Sequence, residues 1–339
     1  MNVLVMGGTR FNGLALVHEL HKHGHEVTVL NRGVTEAAIP AAVRRLTADR
    51  NDSDALRAVL ADEEFDCVHD ISGYNLRQVQ TLVEILNGRV GHYIFASSTV
   101  SYAATRLLPI RETSAVDATP RQSEYARNKL ICEDYLFRLY RQERFPATSV
   151  PFSMVFGPNN IIPDREQRMF QRLLQGRPVF VPGDGTTVGM IGHVDDEARA
   201  LRMMMGRPIT FGKRYNLTGM DCYTDDGYVD TFADVVGVEP RRVYVPAAVM
   251  DELWDSDDPQ EVGRAARLIQ KVAPHIHRWN SSVFFSVDRL RRDVGWEPEY
   301  GFRAAVEQTY EWYRRQGLDE RGEFDFSSED ALLERIEAS

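Results

Sequence analysis

The sequence contains little cysteine and no long apolar run. Its three cysteines, Cys67, Cys132 and Cys222, are far apart and odd in number, which fits neither a disulfide framework nor a metal-ligand pattern. We expect them to be reduced structural thiols. No apolar stretch reaches membrane-spanning length, and no basic flank with an apolar region and a cleavage site opens the chain. These absences predict a cytoplasmic protein with no membrane partner.

Positive charge is also in deficit. Lys and Arg total 40 against 50 Asp and Glu, which gives a formal net charge of −10. A non-specific grip on nucleic acid depends on a clustered basic surface that releases counterions, so this balance argues against a nucleic-acid partner. A hydrophobic fraction of 43% over 339 residues is ordinary for a globular protein.

Residues 1–13 have the pattern of a buried strand that runs into a glycine turn. Val3 to Met6 form a continuous apolar run, typical of a parallel strand covered on both faces. Gly7 and Gly13 frame the turn, and apolar residues at helical spacing follow from Leu14 onward. In such a turn the free N–H groups at the helix start face a pyrophosphate. The order of strand, glycines and helix favours a dinucleotide site over a turn without a ligand.

Two arginines indicate the cofactor preference. Arg10 stands where the usual spacing would place a glycine, and the second strand, residues 26–30, leads into Asn31 and Arg32. An acidic residue at that strand end binds the ribose 2′-hydroxyl of NAD, whereas an arginine accommodates the 2′-phosphate of NADP. We therefore favour NADP, with NAD as the alternative and a solvated turn residue as the other interpretation of Arg32.

Strand and helix patterns alternate along the first half of the chain. The strand patterns lie at residues 3–6, 26–30, 45–48, 66–71 and 92–96. This alternation predicts an α/β fold with a doubly wound parallel Rossmann sheet. Ligands of such sheets bind beyond the carboxyl ends of the strands, where Ser72 to Tyr74 and Ser97 to Thr99 would lie. Local bonds from hydroxyls to the backbone are the alternative role of Ser97 to Thr99.

A tyrosine and a lysine stand one helical turn apart after the fifth strand. Tyr125 and Lys129 would share a helix face, although such pairs are also common on protein surfaces. Hydride transfer to or from an alcohol needs a group that takes the hydroxyl proton, and a phenol does so near neutral pH when a cation stabilises the phenolate. Lys129 would supply that cation, and Ser98 a hydroxyl that holds the substrate oxygen.

Together these motifs resemble the extended short-chain dehydrogenase/reductase family of nucleotide-sugar epimerases, dehydratases and reductases. The resemblance covers roughly residues 1–316 and rests on the glycine turn, Phe95 to Tyr102, Tyr125 with Lys129, Val155 to Pro158, His193 to Asp196, Tyr215 to Leu217 and Leu290 to Pro298. The turn Gly7 to Gly13, GGTRFNG, most resembles an atypical branch that includes the chloroplast stem-loop RNA-binding proteins.

The family pattern implies roles for residues of this chain. It makes Ser98 the catalytic hydroxyl, Tyr125 the acid/base and Lys129 its activator, and Asp49 resembles the residue that contacts the adenine. Arg10 has a parallel in NADP users of the shorter, single-domain branch. The residues expected to bind the cofactor are Gly7, Gly8, Thr9, Arg10, Phe11, Asn12, Gly13, Asn31, Arg32, Asp49, Ser72, Gly73, Tyr125, Lys129 and Phe152.

Three departures from the family pattern narrow the chemistry. Members that eliminate water carry an Asp-Glu pair after the catalytic hydroxyl, where this chain has Thr99 and Val100, so dehydration is disfavoured. Met154 replaces the usual asparagine, and Gly189 lies in the stretch that usually has an arginine; both family residues hold a nucleotide diphosphate. Four arginines could restore the lost charge, although a solvated helix face is the expected role for most: Arg165, Arg168, Arg172 and Arg177.

The resemblance also predicts the domain organisation. An NAD(P)-binding Rossmann domain would occupy residues 1–157, with later elements returning to it, and a smaller substrate-binding lobe would occupy residues 158–316. The acidic tail, residues 317–339, is expected to pack loosely or fray from Asp319 onward.

Two further expectations concern partners. In the family, helices near residues 76–88 and 124–144 often pair across a two-fold axis, which implies a homodimer. His275 and His277 form a His-x-His pair, but no third ligand follows at suitable spacing, so we assign no metal.

Three functions remain open. The leading one is an NAD(P)-dependent epimerase or oxidoreductase that acts on a secondary hydroxyl of a sugar or nucleotide-sugar-like substrate by Tyr-Lys-assisted hydride transfer. The alternatives are a ketoreductase of a non-nucleotide substrate and a non-catalytic RNA-binding relative. The set of Ser98, Tyr125 and Lys129 favours an enzyme, because a pure binding protein need not retain it.

Overall fold

A computed structural model describes residues 1–162, 165–255, 278–321 and 324–337. Its central feature is a six-stranded parallel sheet with the order β3-β2-β1-β4-β5-β6. The strands are β1 (Asn2–Met6), β2 (Glu26–Asn31), β3 (Arg44–Thr47), β4 (Cys67–Asp70), β5 (Tyr93–Ser98) and β6 (Ala147–Phe152). This confirms the predicted doubly wound Rossmann sheet, and β6 is an edge strand beyond the five predicted ones.

The apolar run in β1 is explained by burial on both faces of the sheet. Val3 and Val5 enter one hydrophobic cluster, whereas Leu4 and Met6 enter the other. Successive side chains of a strand point to opposite faces, so a strand covered on both sides needs apolar residues throughout. The covering helices of this half are α1 (Phe11–Lys22), α2 (Ser53–Val59), α3 (Leu76–Leu86) and α4 (Glu124–Glu143).

Elements from the second half complete the first cluster and build a smaller region beside the sheet. They are β7 (Val155–Phe156), α5 (Glu166–Leu174), β8 (Val179–Pro182), β9 (Val188–Met190), β10 (Gly192–His193), α6 (Val194–Met204), β11 (Cys222–Thr224), α7 (Asp225–Val236), β12 (Arg242–Val245), α8 (Ala247–Asp255), α9 (Asp288–Val294), α10 (Phe302–Arg315), α11 (Leu318–Arg321) and α12 (Ser327–Glu337). Ala198 and Leu201 of α6 share the cluster of Leu16 and Val17 of α1, so the later chain packs back onto the sheet.

Helix α4 begins at Glu124, with Ser123 as its N-cap residue. The Ser123 hydroxyl accepts a hydrogen bond from the backbone N–H of Ala126 at 3.2 Å, which satisfies one of the unpaired donors of the first turn. Arg144, in the left-handed region with φ of 60°, ends the helix. This long helix carries Tyr125 and Lys129 on its first two turns.

The three cysteines are free, with Cys67 and Cys132 buried and Cys222 exposed. Within the ranges given above, no helix is long and apolar enough to cross a membrane.

The acidic C-terminal segment does not fray, which corrects the expectation for its described residues. Phe326 and Leu332 are buried. The Glu329 carboxylate, only 4% exposed, accepts hydrogen bonds from the guanidinium groups of Arg168 and Arg172, each at 2.7 Å. The acidic composition is therefore matched in part by two buried arginines of α5, which sequence periodicity alone placed on a solvated face.

We predict that Glu329→Gln lowers the free energy of unfolding by about 3–5 kcal/mol, because it removes the carboxylate that pairs with the buried Arg172 guanidinium. Chemical denaturation measures the change. Asp330→Asn is the matched control, since the adjacent Asp330 carboxylate is 57% exposed and pairs with Arg177 at the surface; its cost should be about 0–1 kcal/mol. Equal costs for the two variants would contradict the prediction.

Candidate active site

A cleft with a cavity volume of about 870 Å³ lies beyond the carboxyl ends of the central strands. Its wall contains Ser98, Tyr125 and Lys129 together with the expected cofactor residues Gly7, Gly8, Thr9, Arg10, Phe11, Asn12, Gly13, Asn31, Arg32, Asp49, Ser72 and Phe152. Gly73 lies behind the wall and is buried. Residues separated by more than a hundred positions thus meet at the edge where a doubly wound sheet binds its ligands.

The glycine turn approaches β2 and α1 too closely for a side chain at two positions. Gly8 has φ of +68°, and a Cβ there would lie 2.7 Å from Val29 Cγ1. A Cβ on Gly13 would lie 2.7 Å from the backbone nitrogen of Gly8. Only glycine fits both positions, and the resulting backbone-lined concavity at a helix start suits a pyrophosphate.

Arg10 occupies its position without strain. It is the N-cap residue of α1 with φ of −141° and ψ of 143°, an extended conformation open to any residue. No side chain caps this helix end and its first turn carries no acidic residue, so its N–H groups and positive dipole end are available to an anion. The loss of the usual glycine therefore leaves the phosphate cradle intact.

Two arginines, Arg10 and Arg32, line the cleft near the end of β2. Arg10 and Arg32 are both exposed, and neither has an ion-pair partner among the described residues. The Asn31 side-chain oxygen accepts a hydrogen bond from the backbone N–H of Gly33 at 2.8 Å, which fixes the end of β2. Asp49 also lines the cleft, where its carboxylate accepts two hydrogen bonds from Asn51, at 2.8 and 3.0 Å.

A buried charged network lies beneath the cleft, and sequence reasoning missed it. Arg50 donates to both carboxylate oxygens of Asp70, at 2.8 and 3.1 Å, and to the Ser72 hydroxyl at 2.9 Å. The Tyr93 hydroxyl donates to Asp70 at 2.6 Å. Burial tends to raise the pKa of the Asp70 carboxyl, but the Arg50 charge, the hydrogen bonds from Arg50 and Tyr93 and the Lys129 charge together outweigh it, so the pKa is lowered. Asp70 is therefore a buried carboxylate with a fixed counter-ion.

Lys129 is almost completely buried. Its ammonium donates to the carbonyl oxygens of Gly73 at 2.7 Å and Ala96 at 2.6 Å. Desolvation lowers the pKa of Lys129 to about 8, and the nearby Asp70 charge opposes this shift. Gly73 lies in the turn after β4, and Ala96 lies in β5. Lys129 therefore fixes the backbone at the edge of the sheet as well as carrying charge.

Tyr125 lies beside Lys129, with the ammonium 5.5 Å from its ring centroid. Burial raises the pKa of the Tyr125 phenol, whereas a hydrogen bond with Ser98 and the charge of Arg165 act to lower it. We expected Lys129 to stabilise the phenolate directly. In the structure its ammonium is engaged by two carbonyls, and the groups that favour the phenolate are Ser98 and Arg165.

The remaining wall of the cleft is mainly apolar. It includes Met154, Ile161 and Ile162, and Arg165 is the basic residue of this wall. Gly189 lies in β9, outside the cleft wall. Four arginines of this region were candidates to replace the positive charge of the missing family arginine. Among the described residues, Arg165 is the one of these four that lines the cleft.

In the part of the chain that the structure describes, His, Cys, Asp and Glu side chains form no group of three or more that could hold a metal ion. His275 and His277 lie outside the described residues.

The fold and the cleft define a Rossmann-type nucleotide-binding protein with a hydroxyl, a phenol and an ammonium group at one site. Residues 3–218 match the NAD dependent epimerase/dehydratase family, and the chain belongs to this family. The family resemblance seen in the sequence is thereby confirmed.

Individual relatives differ in what their names state. The chloroplast stem-loop binding protein of 41 kDa b from Arabidopsis thaliana is 30% identical, over 98% of this chain and 84% of its own length. A UDP-glucose 4-epimerase from Corynebacterium glutamicum is 26% identical, over 91% of this chain and 95% of its own. The structure of a UDP-glucose 4-epimerase from Thermotoga maritima with UDP-glucose, at 19% identity, has a TM-score of 0.74 over 93% of this chain and 99% of that one; this likeness concerns the fold.

The depressed pKa of Lys129 predicts a pH effect on stability. Its ordinary value is 10.5 and its folded value about 8, so the unfolded chain binds more protons between these two pH values. The destabilisation is complete below pH 8 and is relieved as the pH rises towards 10.5. The free energy of unfolding of the wild type should therefore rise with pH across this window relative to Lys129→Met. Urea denaturation at several pH values measures the difference. The exposed Lys22→Met should parallel the wild type, and a wild type that parallels Lys129→Met would refute the prediction.

Proposed function

We propose that this protein is an NAD(P)-dependent epimerase or oxidoreductase that acts on a secondary hydroxyl of a sugar or nucleotide-sugar-like substrate. The convergence of Ser98, Tyr125 and Lys129 at one end of a dinucleotide-type cleft carries the proposal. Its family membership, with a sugar epimerase among its relatives, supports the substrate class. The glycine turn, the uncapped N-terminus of α1 and the shape of the cleft together fit a nicotinamide dinucleotide. When bound, this cofactor would supply hydride transfer.

Each residue of the set has a part in moving one proton. Tyr125 takes the proton of the substrate hydroxyl during oxidation and returns it during reduction. Ser98, which acts to lower the pKa of Tyr125, also bonds the same substrate oxygen and orients it. Lys129 holds the backbone at Gly73 and Ala96 and places a positive charge beside the phenol. Arg165 adds a second positive charge that lowers the pKa of Tyr125.

The two residues after Ser98 narrow the reaction type. Thr99 and Val100 offer no carboxylate or acid to remove water from the neighbouring carbons, so we disfavour a dehydratase. A ketoreductase of a non-nucleotide substrate is the alternative within the same chemistry, because Met154 and Gly189 replace the residues that hold a nucleotide diphosphate in the family. An epimerase should retain its dinucleotide through purification, whereas a net oxidoreductase should exchange it freely.

We further propose NADP as the cofactor, with NAD as the alternative. Arg10 and Arg32 line the adenosine end of the cleft without ion-pair partners among the described residues, and the residue at the end of β2 is Asn31 rather than an acid. A 2′-phosphate placed there would gain charge-assisted hydrogen bonds, whereas a bare ribose would gain little from the two guanidinium groups.

Stem-loop RNA binding is the second candidate function, favoured by the name of the Arabidopsis relative. The net charge of −10 opposes it, as does the presence of the full proton-transfer set. We also propose a cytoplasmic location, because free cysteines suit a reducing compartment. The family pattern further implies a homodimer that pairs through α3 and α4.

Cofactor choice can be tested at Arg32. We predict that Arg32→Ala raises the Kd of NADP⁺ about 10-fold and leaves the Kd of NAD⁺ nearly unchanged, because only NADP⁺ carries the phosphate. Arg10→Ala should act in the same direction. Fluorescence titration measures both constants, with Arg45→Ala, an exposed residue of β3, as the control. An unchanged ratio of the two constants in both cleft variants would rule out the assignment.

Catalysis can be tested at Tyr125. We predict that Tyr125→Phe lowers the turnover of NADP⁺ reduction with a panel of sugars by about 10²–10⁴-fold, since the proton acceptor is lost, and retains cofactor affinity. Tyr74→Phe is the matched control, because the Tyr74 ring lies 5.3 Å from the Lys129 ammonium and also lines the cleft. Undiminished turnover in Tyr125→Phe would contradict the mechanism, and a pure stem-loop binder would show no such turnover in any variant.

A further inference from the structure

The substrate side of the cleft holds a cationic side chain that forms no ion pair with any residue that the structure describes. This side is the wall formed by Val100, Met154, Ile161, Ile162 and Arg165, next to Tyr125. Arg165 Nη1 donates to the carbonyl oxygen of Val155 at 2.9 Å, which anchors the guanidinium group against the chain that follows β6. No carboxylate of the described residues forms an ion pair with Arg165.

The other arginines of this region are used elsewhere. Arg168 and Arg172 bind the buried Glu329, and Arg177 binds Asp330. These contacts tie α5 to α12 and direct three guanidinium groups away from the cleft. Among these four arginines, Arg165 at the start of α5 is the one whose side chain lines the substrate side of the cleft, as far as the chain is described.

The two acids whose charges reach Arg165 form no ion pair with it in the described part of the chain. The Glu166 carboxyl is bound by the Asn160 side-chain amide at 2.8 and 3.0 Å, and burial raises its pKa to about 7. Burial also raises the pKa of Glu197 well above its ordinary value. Desolvation lowers the pKa of Arg165 itself, which reflects a partly buried cation without an anionic partner. Such a cation is costly unless a ligand supplies the negative charge.

We propose that Arg165 recognises an anionic group on the substrate, and that the substrate class is a sugar bearing one such group, either a carboxylate or a phosphate monoester. The inference rests on the proposed function and narrows its substrate. Arg165 lies close enough to influence the charge of Tyr125, so an anion on Arg165 would place another part of the same sugar next to the proton acceptor.

One anionic group fits this wall better than a nucleotide diphosphate. A diphosphate requires several converging donors, yet Met154, Ile161 and Ile162 contribute apolar surface, and Gly189 lies outside the wall. A single guanidinium in an apolar setting matches a carboxylate or a phosphate monoester, which it can bind through two parallel hydrogen bonds.

The experiment is equilibrium binding by calorimetry to the full chain in the presence of saturating NADP⁺. Four probes are compared: glucose, glucuronate, glucose 6-phosphate and UDP-glucose. The proteins are the wild type, Arg165→Gln, Arg165→Lys and the control Arg106→Gln, which removes an exposed arginine outside the cleft wall. Thermal midpoints and NADP⁺ affinities are recorded for each, so that a folding defect is recognised directly.

We expect the wild type and Arg106→Gln to bind glucuronate or glucose 6-phosphate at least about 10-fold more tightly than glucose, and Arg165→Gln to lose this preference while its affinity for glucose is unchanged. Arg165→Lys should retain part of it. The choice between glucuronate and glucose 6-phosphate identifies the carboxylate or the phosphate as the group recognised.

Two results would overturn the inference and leave the proposed function standing: an anion preference that persists in Arg165→Gln, or a wild type that oxidises glucose or UDP-glucose and binds it at least as tightly as glucuronate and glucose 6-phosphate. A wild type that binds NADP⁺ but neither binds nor oxidises any of the four probes would instead overturn the proposed sugar chemistry, and this inference with it.

Discussion

The structure around the cleft depends on one buried ammonium. Lys129 reaches from α4 to two carbonyl oxygens, one in the turn after β4 and one in β5, and so joins three elements at the edge of the sheet. A buried cation is tolerated when its hydrogen bonds are made and an opposite charge is near. Asp70, held by Arg50 and Tyr93, supplies that charge from below. The positions of Ser98 and Tyr125 follow from these contacts, since both lie directly beside the elements that Lys129 joins.

Lys129 and Arg165, the two cations near Tyr125, have different roles in this arrangement. Lys129 is engaged by backbone carbonyls, and Arg165 faces the cleft with one hydrogen bond to the chain. The first therefore holds the shape of the site, while the second remains available to a ligand. Ser98 and Arg165 favour the phenolate of Tyr125, which burial otherwise disfavours. An anion bound at Arg165 would reduce that support, so substrate binding and the acidity of Tyr125 would be coupled through a single guanidinium.

Local patterns made much of the fold predictable from the sequence. The apolar run of β1 and the glycine turn each reflect interactions within a few residues, and both were predicted at nearly the observed bounds. Strand β6 was missed because its Thr148 and Ser149 interrupt the apolar pattern. The Thr148 hydroxyl donates to the carbonyl of Thr210 and the Ser149 hydroxyl to Glu133 of α4, both on other elements of the fold. Contacts of this kind leave no periodic signal.

Ion pairs between residues far apart in the sequence could not be predicted for the same reason. Such pairs hold elements of the second half of the chain together. The sequence predicted a solvated helix face for most of the four arginines and a tail that packs loosely or frays, but Arg168 and Arg172 are buried against Glu329 of that tail. Because α5 carries both buried arginines, α12 holds the helix whose N-cap residue, Arg165, lines the cleft. The tail that looked least structured thus contributes to the geometry of the cleft, and it does so through an ion-pair cluster that only the folded chain assembles.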